Sequence, residues 1–324
     1  MVAPARGWLR ELGRTGVSTS AISLGLAALG RPGYLNLGHG EDFEDRSVQG
    51  LADRSHAVLD AAYRAGVRHF DAARSYGRAE EFLGSWLRSR SLRPGEVTVS
   101  SKWGYTYTAG WRVDADPPEV KDLSADTLRR QLGETRELLG PYLSLYQIHS
   151  ATVSSGVLDD PDVRRELEAL RADGVAVGMS VTGTEQAATI EHAVEIGGFE
   201  TVQATWNLLE RSAGEVLQSA HEAGLGVIVK EALANGRLSP RGGIEPLARA
   251  ARRIGVSEDA LALAGVLAQP WVDTVLSGAS TVAQLESNLS AFEVEWGPAL
   301  EDELAPITKA PESYWTTRSS LPWT

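Results

Sequence analysis

Asp71, Tyr76, Lys102 and His149 have the side-chain types that proton transfer at a carbonyl oxygen requires. A free phenol has a pKa of about 10, too high to trade protons easily near neutrality. An ammonium beside it, such as Lys102, favours the phenolate and lowers that value. A carboxylate paired with the lysine, such as Asp71, holds it charged and in place. An imidazole within reach orients a carbonyl or assists the transfer. Together such groups protonate a carbonyl oxygen while hydride arrives at the carbon. Taken singly, each has a plain structural role open to it. Asp71 could be a helix cap, Tyr76 packing, Lys102 half of an ion pair, and His149 a hydrogen-bonded core residue. The chemical reading therefore depends on the fold gathering them.

Each of the four stands at or just after the end of a short apolar run: residues 67–71, 97–101 and 143–149. Similar runs lie at 21–24, 175–180, 201–205, 226–230 and 273–277. They are short and bounded by Gly, Pro or charged residues, as strands buried on both faces should be. Helical stretches separate them. Residues 55–65 and 124–139 carry apolar stripes, the second with Leu128, Leu132, Thr135 and Leu139 behind Ser124 as N-cap. Asp160-Pro161 reads as a cap with proline at the first helical position. Ser212 to Glu215 and Thr281 to Gln284 fit capping boxes, and Gly66, Gly174 and Gly224 suit helix C-termini. Eight strand–helix pairs predict a (β/α)8 TIM barrel, a single domain over 1–324 with a tail at 306–324. An open doubly wound sheet is the rival, but no Gly-rich dinucleotide fingerprint follows the first strand. In such a barrel, chemistry collects at the C-terminal strand ends, where the four residues stand. Long segments at 31–53, 103–123 and 306–324 fall outside the eight units.

Composition narrows the partners. The net charge of −12 argues against nucleic-acid and anionic-membrane binding. The absence of Cys excludes disulfides and thiol chemistry. No apolar run approaches a membrane span, and residues 1–14 carry no signal-peptide core, so a cytoplasmic location is expected. The histidines at 39, 56, 69, 149, 192 and 221 offer no metal-ligand spacing, so no metal is expected.

The stretch Gly66-Val67-Arg68-His69-Phe70-Asp71-Ala72-Ala73-Arg74-Ser75-Tyr76-Gly77, with Glu80 after it, resembles the aldo-keto reductase signature. Leu12-Gly13-Arg14-Thr15-Gly16 resembles that family's N-terminal hairpin. Ser101-Lys102-Trp103-Gly104 and Leu145-Tyr146-Gln147-Ile148-His149 resemble its third and fourth strand ends. Gln203 to Arg211 resembles the sixth, and Gly278-Ala279-Ser280 through Gln284 and Asn288 the eighth.

The resemblance implies a barrel with an N-terminal hairpin and long active-site loops, acting on a small carbonyl or alcohol substrate. It implies Tyr76 as general acid/base, Asp71 and Lys102 as its tuners, and His149 as the substrate-orienting group. Gln203 and Ser180 are expected at the nicotinamide carboxamide. Gly25, Lys230, Leu233, Gly278, Ser280, Thr281, Gln284 and Asn288 complete the expected cofactor contacts. Trp103, Trp111, Tyr314 and Trp315 are expected to wall the substrate pocket, which suits an apolar or sugar-like molecule. The chain departs from the family where Val181 replaces a common asparagine and Lys230 a common tyrosine that stacks on the nicotinamide. The eighth strand end carries no basic residue for an adenosine 2′-phosphate. The expected cofactor is NADP(H), with NAD(H) the alternative. The family also contains channel-associated members, so a nucleotide-sensing regulatory subunit with little turnover is the second reading. The oligomeric state is not read from the sequence.

Overall fold

The computed structural model describes residues 9–33, 36–37 and 45–322. Residues 1–8, 34–35, 38–44 and 323–324, which include part of the predicted first loop and of the tail, lie outside the described residues. The hairpin comes first, β1 (Leu9–Glu11) and β2 (Ser18–Ser20). Then follow β3 (Ile22–Gly25), β4 (His69–Asp71), β5 (Thr98–Trp103), β6 (Tyr105–Tyr107), β7 (Glu119–Lys121) and β8 (Leu143–Ala151). The last strands are β9 (Ala176–Val181), β10 (Thr201–Thr205), β11 (Gly226–Lys230) and β12 (Thr274–Ser277). Among the described residues β6 and β7 pair only with each other, while the remaining eight run parallel and close when β12 pairs with β3. All eight predicted runs are barrel strands, displaced by about two residues or fewer at their ends. Every residue of β9 and β10 is buried, as expected of strands covered on both faces.

The helices are α1 (Ala27–Gly30), α2 (Val48–Arg64), α3 (Ala79–Ser89), α4 (Ala125–Leu139), α5 (Pro161–Ala172) and α6 (Gln186–Ile196). They continue as α7 (Gly214–Glu222), α8 (Glu245–Ile254), α9 (Glu258–Leu267), α10 (Val282–Leu289), α11 (Pro298–Leu304) and α12 (Pro311–Ser320). Ser124 and Asp160 cap α4 and α5 as predicted, and Gly66, Gly174 and Gly224 take positive φ just past their helices. Four expectations need correction. α2 starts at Val48, capped by Ser47. Before Ser55 it buries only Leu51, so its first turns carry no apolar stripe. Ser212 caps nothing, because its hydroxyl is bonded to Glu210 and α7 begins at Gly214. Thr281 does cap α10, but Gln284 Oε1 accepts from the Ser280 N–H, one residue beyond a true capping box. Segment 103–123 is built around the β6–β7 ribbon, and much of the tail is α12.

The turn of the hairpin seals one end of the barrel. Leu12 packs with Leu145, Ala176, Ile228 and Leu276, and Arg14 N–H donates to Gly224 O at 3.0 Å. Above this plug the interior turns polar around His69, which is fully buried. His69 Nδ1 meets Thr19 Oγ1 at 3.0 Å and Nε2 meets Ser100 Oγ at 2.8 Å. Burial pushes the imidazole down to about 4, with Lys102 adding to the effect and Asp71 opposing it. An unfolded chain protonates histidine near 6.5, so between these values the unfolded state holds more protons than the native one. Stability is therefore expected to fall as pH drops from about 6.5 to about 4, by up to about 3 kcal/mol from this residue. Urea unfolding across that window should show a shallower decline in His69→Gln. An identical slope in both proteins would refute the assignment.

Candidate active site

Side chains alternate along a strand, so one inward residue fixes the next but one. His69 and Asp71 on β4, Ser100 and Lys102 on β5, and Gln147 and His149 on β8 follow this period. The register sets Asp71 beside Ser100, and Lys102 beside Gln147. Tyr76 lies in the loop between β4 and α3, held by Tyr76 N–H to Ala73 O at 3.1 Å. Gly30 packs against that loop so closely that a Cβ there would lie 2.0 Å from Tyr76 O. The fold thus brings together the four residues that the sequence scatters.

Lys102 is fully buried and ion-paired with Asp71 Oδ2. It also donates to Ala72 O at 3.0 Å. Its ammonium lies 5.1 Å from the centre of the Tyr76 ring. Asp71 Oδ1 accepts from Ser100 Oγ at 2.6 Å, with the amides of Gln203 and Gln147 further off at 3.4 and 3.5 Å. Burial pulls the lysine below its ordinary value, and Asp71 opposes that pull. The His149 ring meets Tyr76 edge-on at 5.5 Å and Tyr105 at 5.0 Å. Burial holds His149 well below the usual histidine range, and the cations Lys102, Lys230, Lys121 and Arg31 add to this. It is therefore a neutral imidazole at physiological pH, and its Nδ1 is buried without a hydrogen-bond partner.

A cavity of about 520 Å³ opens over this cluster. Asp71, Tyr76 and His149 line it, whereas Lys102 sits beneath the surface. Of the expected cofactor contacts, Gly25, Gln203, Lys230, Leu233, Gly278, Gln284 and Asn288 line it as well. Ser180, Ser280 and Thr281 are not among the lining residues. Ser180 Oγ accepts from Ser150 N–H at 2.8 Å, the Ser280 hydroxyl donates to Gln284, and Thr281 caps α10.

The aromatic wall requires a larger correction, because none of its four residues lines the cavity. With Lys102 turned inward, the alternation sends Trp103 outward into the core between strands and helices. Trp111 packs on Phe82 and donates to Arg46 O at 2.8 Å. Tyr314 is fully buried, its hydroxyl accepting from Asn207 at 3.0 Å, and Trp315 packs against Tyr314.

Tyr105 and Glu119 from the ribbon, with Arg318 from α12, line the cavity instead. Glu119 is raised above the usual carboxylate range by burial, with Arg31 at 3.3 Å opposing. Asp259, Glu231 and Asn235 also line the cavity, and the sequence carries no motif that marks them.

Comparison with known proteins agrees with this geometry. The model of the aldo/keto reductase family matches residues 22–299. Pyridoxal 4-dehydrogenase of Microbacterium luteolum is 26% identical, the match covering 96% of each chain. L-galactose dehydrogenase of Arabidopsis thaliana is 26% identical over 87% of each. The solved structure of an aldo-keto reductase from Bacillus halodurans superposes with a TM-score of 0.72 at 22% identity, covering 93% of this chain and 96% of that one. The chain belongs to the aldo/keto reductase family and is an oxidoreductase that interconverts carbonyl and alcohol groups.

Proposed function

We propose that the protein reduces a small polar carbonyl compound, or oxidises the matching alcohol, with a nicotinamide dinucleotide and Tyr76 as the proton donor. One observation carries this reading. A buried ammonium lies against the Tyr76 ring, is anchored by Asp71, and shares the cavity region with a neutral His149.

The cavity fits such a cofactor. One continuous space touches Tyr76, Gln203, Lys230, Gly278 and Asn288, a Cβ added at Gly278 would meet nothing, and Asn235 Oδ1 is buried without a partner. Gln203, Leu233, Asn235, Gly278 and Asn288 would hold the dinucleotide. When bound in its reduced form, it supplies hydride to the carbonyl carbon. The chain supplies the rest. The Tyr76 hydroxyl gives its proton to the carbonyl oxygen, and the His149 imidazole offers a second hydrogen bond that orients it. The Lys102 ammonium stabilises the phenolate left behind, and Asp71 fixes the ammonium. Tyr105, Glu119 and Arg318 suit a substrate that carries hydroxyl groups. Pyridoxal and L-galactose, for which two relatives are named, are of this kind.

Asp259 supports NAD(H) ahead of NADP(H). It is 8% exposed and lines the cavity beside Asn288. With its amide oxygen accepting from Ser277 Oγ at 2.8 Å, Asn288 donates to Asp259 Oδ2 at 2.9 Å. Among the described lining residues Lys230 and Arg318 are the cationic ones, and Glu231 engages both. A carboxylate repels a 2′-phosphate and suits a ribose hydroxyl. Fluorescence titration should give NADH the tighter Kd by about tenfold, and Asp259→Asn should narrow the gap. A turnover assay with polar aldehydes and sugars tests the whole reading. Tight binding without turnover on any of them would favour the regulatory-subunit reading instead.

A further inference from the structure

A line of hydrogen bonds runs down the barrel interior from the active site. Asp71 gives Oδ2 to Lys102, and its Oδ1 accepts from Ser100 Oγ at 2.6 Å. A carboxylate only accepts, so the one hydroxyl proton of Ser100 points at Asp71. At its other contact, His69 Nε2 at 2.8 Å, Ser100 Oγ therefore accepts. This puts the proton of the neutral imidazole on Nε2 and leaves Nδ1 as an acceptor. Thr19 Oγ1, on the second strand of the hairpin, lies 3.0 Å from Nδ1 and donates to it. The other acceptors near that hydroxyl are both further off at 3.3 Å, Ser20 O and Ser23 Oγ, and both are already engaged by Thr274 Oγ1, at 2.7 and 2.6 Å. Thr19, His69, Ser100 and Asp71 are all buried, which shields the line from bulk solvent.

We propose that His69 is a positioning residue for proton transfer at Tyr76: held on both nitrogens as its Nε2–H tautomer, it fixes the Ser100 hydroxyl and through it the Asp71 carboxylate that anchors Lys102. The proposal rests on the hydride-transfer reading above. Thr19, His69 and Ser100 each donate in the direction of Asp71, and donors in series polarise one another. A carboxylate held at both oxygens keeps one orientation, and with it the ammonium 5.1 Å from the centre of the Tyr76 ring. With one donor gone, the carboxylate grows more basic and draws the lysine proton toward itself. Less positive potential then reaches the phenol, which becomes a weaker acid. Burial keeps His69 neutral above about 4, with Asp71 of β4 opposing and Lys102 of β5 adding. The tautomer is therefore the state present wherever the enzyme works near neutrality.

The test has two arms. Nitrogen–proton correlation NMR of the imidazoles, with His69 assigned by its loss in His69→Gln, is expected to show the Nε2–H tautomer alone between about pH 6 and about pH 9. In steady-state carbonyl reduction, Ser100→Ala should lower kcat about tenfold and move the alkaline limb of kcat/KM up by about one pH unit. Substrate KM and dinucleotide Kd should stay within about twofold. His69→Leu, which leaves the Ser100 hydroxyl without its donor, should shift rate and limb the same way by less. His69→Gln keeps an N–H for Ser100 and should restore both to within about twofold of the wild type. A purely structural imidazole would lower the unfolding midpoint in both His69 variants and leave the limb in place. If Ser100→Ala does not fold, His69→Leu and the wild-type tautomer decide. An Nδ1–H tautomer or a mixture, or a limb unmoved in the variants that fold, overturns this proposal alone. Absence of wild-type turnover on every carbonyl tested overturns the hydride-transfer reading and this proposal with it.

Discussion

Tyr76→Phe is expected to lower the rate of carbonyl reduction about a thousandfold while leaving dinucleotide Kd within about twofold of the wild type. The phenylalanine keeps the ring that packs on Lys102 and meets His149 edge-on, so the fold and the cavity shape should persist. Only the hydroxyl is lost. The developing alkoxide then has the neutral imidazole of His149 as its remaining donor. Such a donor stabilises charge but holds its proton too tightly to give it up quickly. Steady-state kinetics with a good aldehyde substrate, paired with the titration, separates chemistry from binding. A variant that reduces aldehydes at the normal rate would place the proton source elsewhere and remove the core of the mechanism.

The second large effect concerns the ion pair beneath the tyrosine. Lys102→Met should destabilise the protein by about 3–5 kcal/mol, because it strands the Asp71 carboxylate in the interior. Ser100 Oγ still donates to Asp71 but cannot replace a cation. Adding Asp71→Asn to that variant removes the stranded charge and should restore most of the stability. The rate should stay low, since no ammonium then lowers the cost of the phenolate. Urea unfolding and kinetics on the single and double variants read these two effects independently. If the double variant recovers both stability and rate, the pair is scaffolding and has no part in proton transfer.

Much of the site was legible because it follows the barrel's own geometry. Apolar runs that end in Asp71, Lys102 and His149 mark strand ends, and a closed parallel barrel places strand ends together. The substrate wall was not legible. Trp103 follows Lys102 on one strand, and a period of two already sends them to opposite faces. Tyr105 and Glu119 sit on strands of three residues each, too short to show periodicity, and a long turn separates them. Arg318 depends on how α12 docks, which residues far apart in the chain decide. Asp259 looks like an ordinary acidic residue in the first turn of α9 until Asn288 and the cavity are seen beside it.

The two-stranded ribbon bears on the shape of the cavity. Among the described residues β6 and β7 pair with each other and with no barrel strand, touching β8 through Lys121 Nζ, which donates to Ser150 O at 2.7 Å, and they place Tyr105 and Glu119 in the cavity wall. Substitutions in that short insert are expected to reshape the cavity wall while leaving the ladder of the eight barrel strands intact.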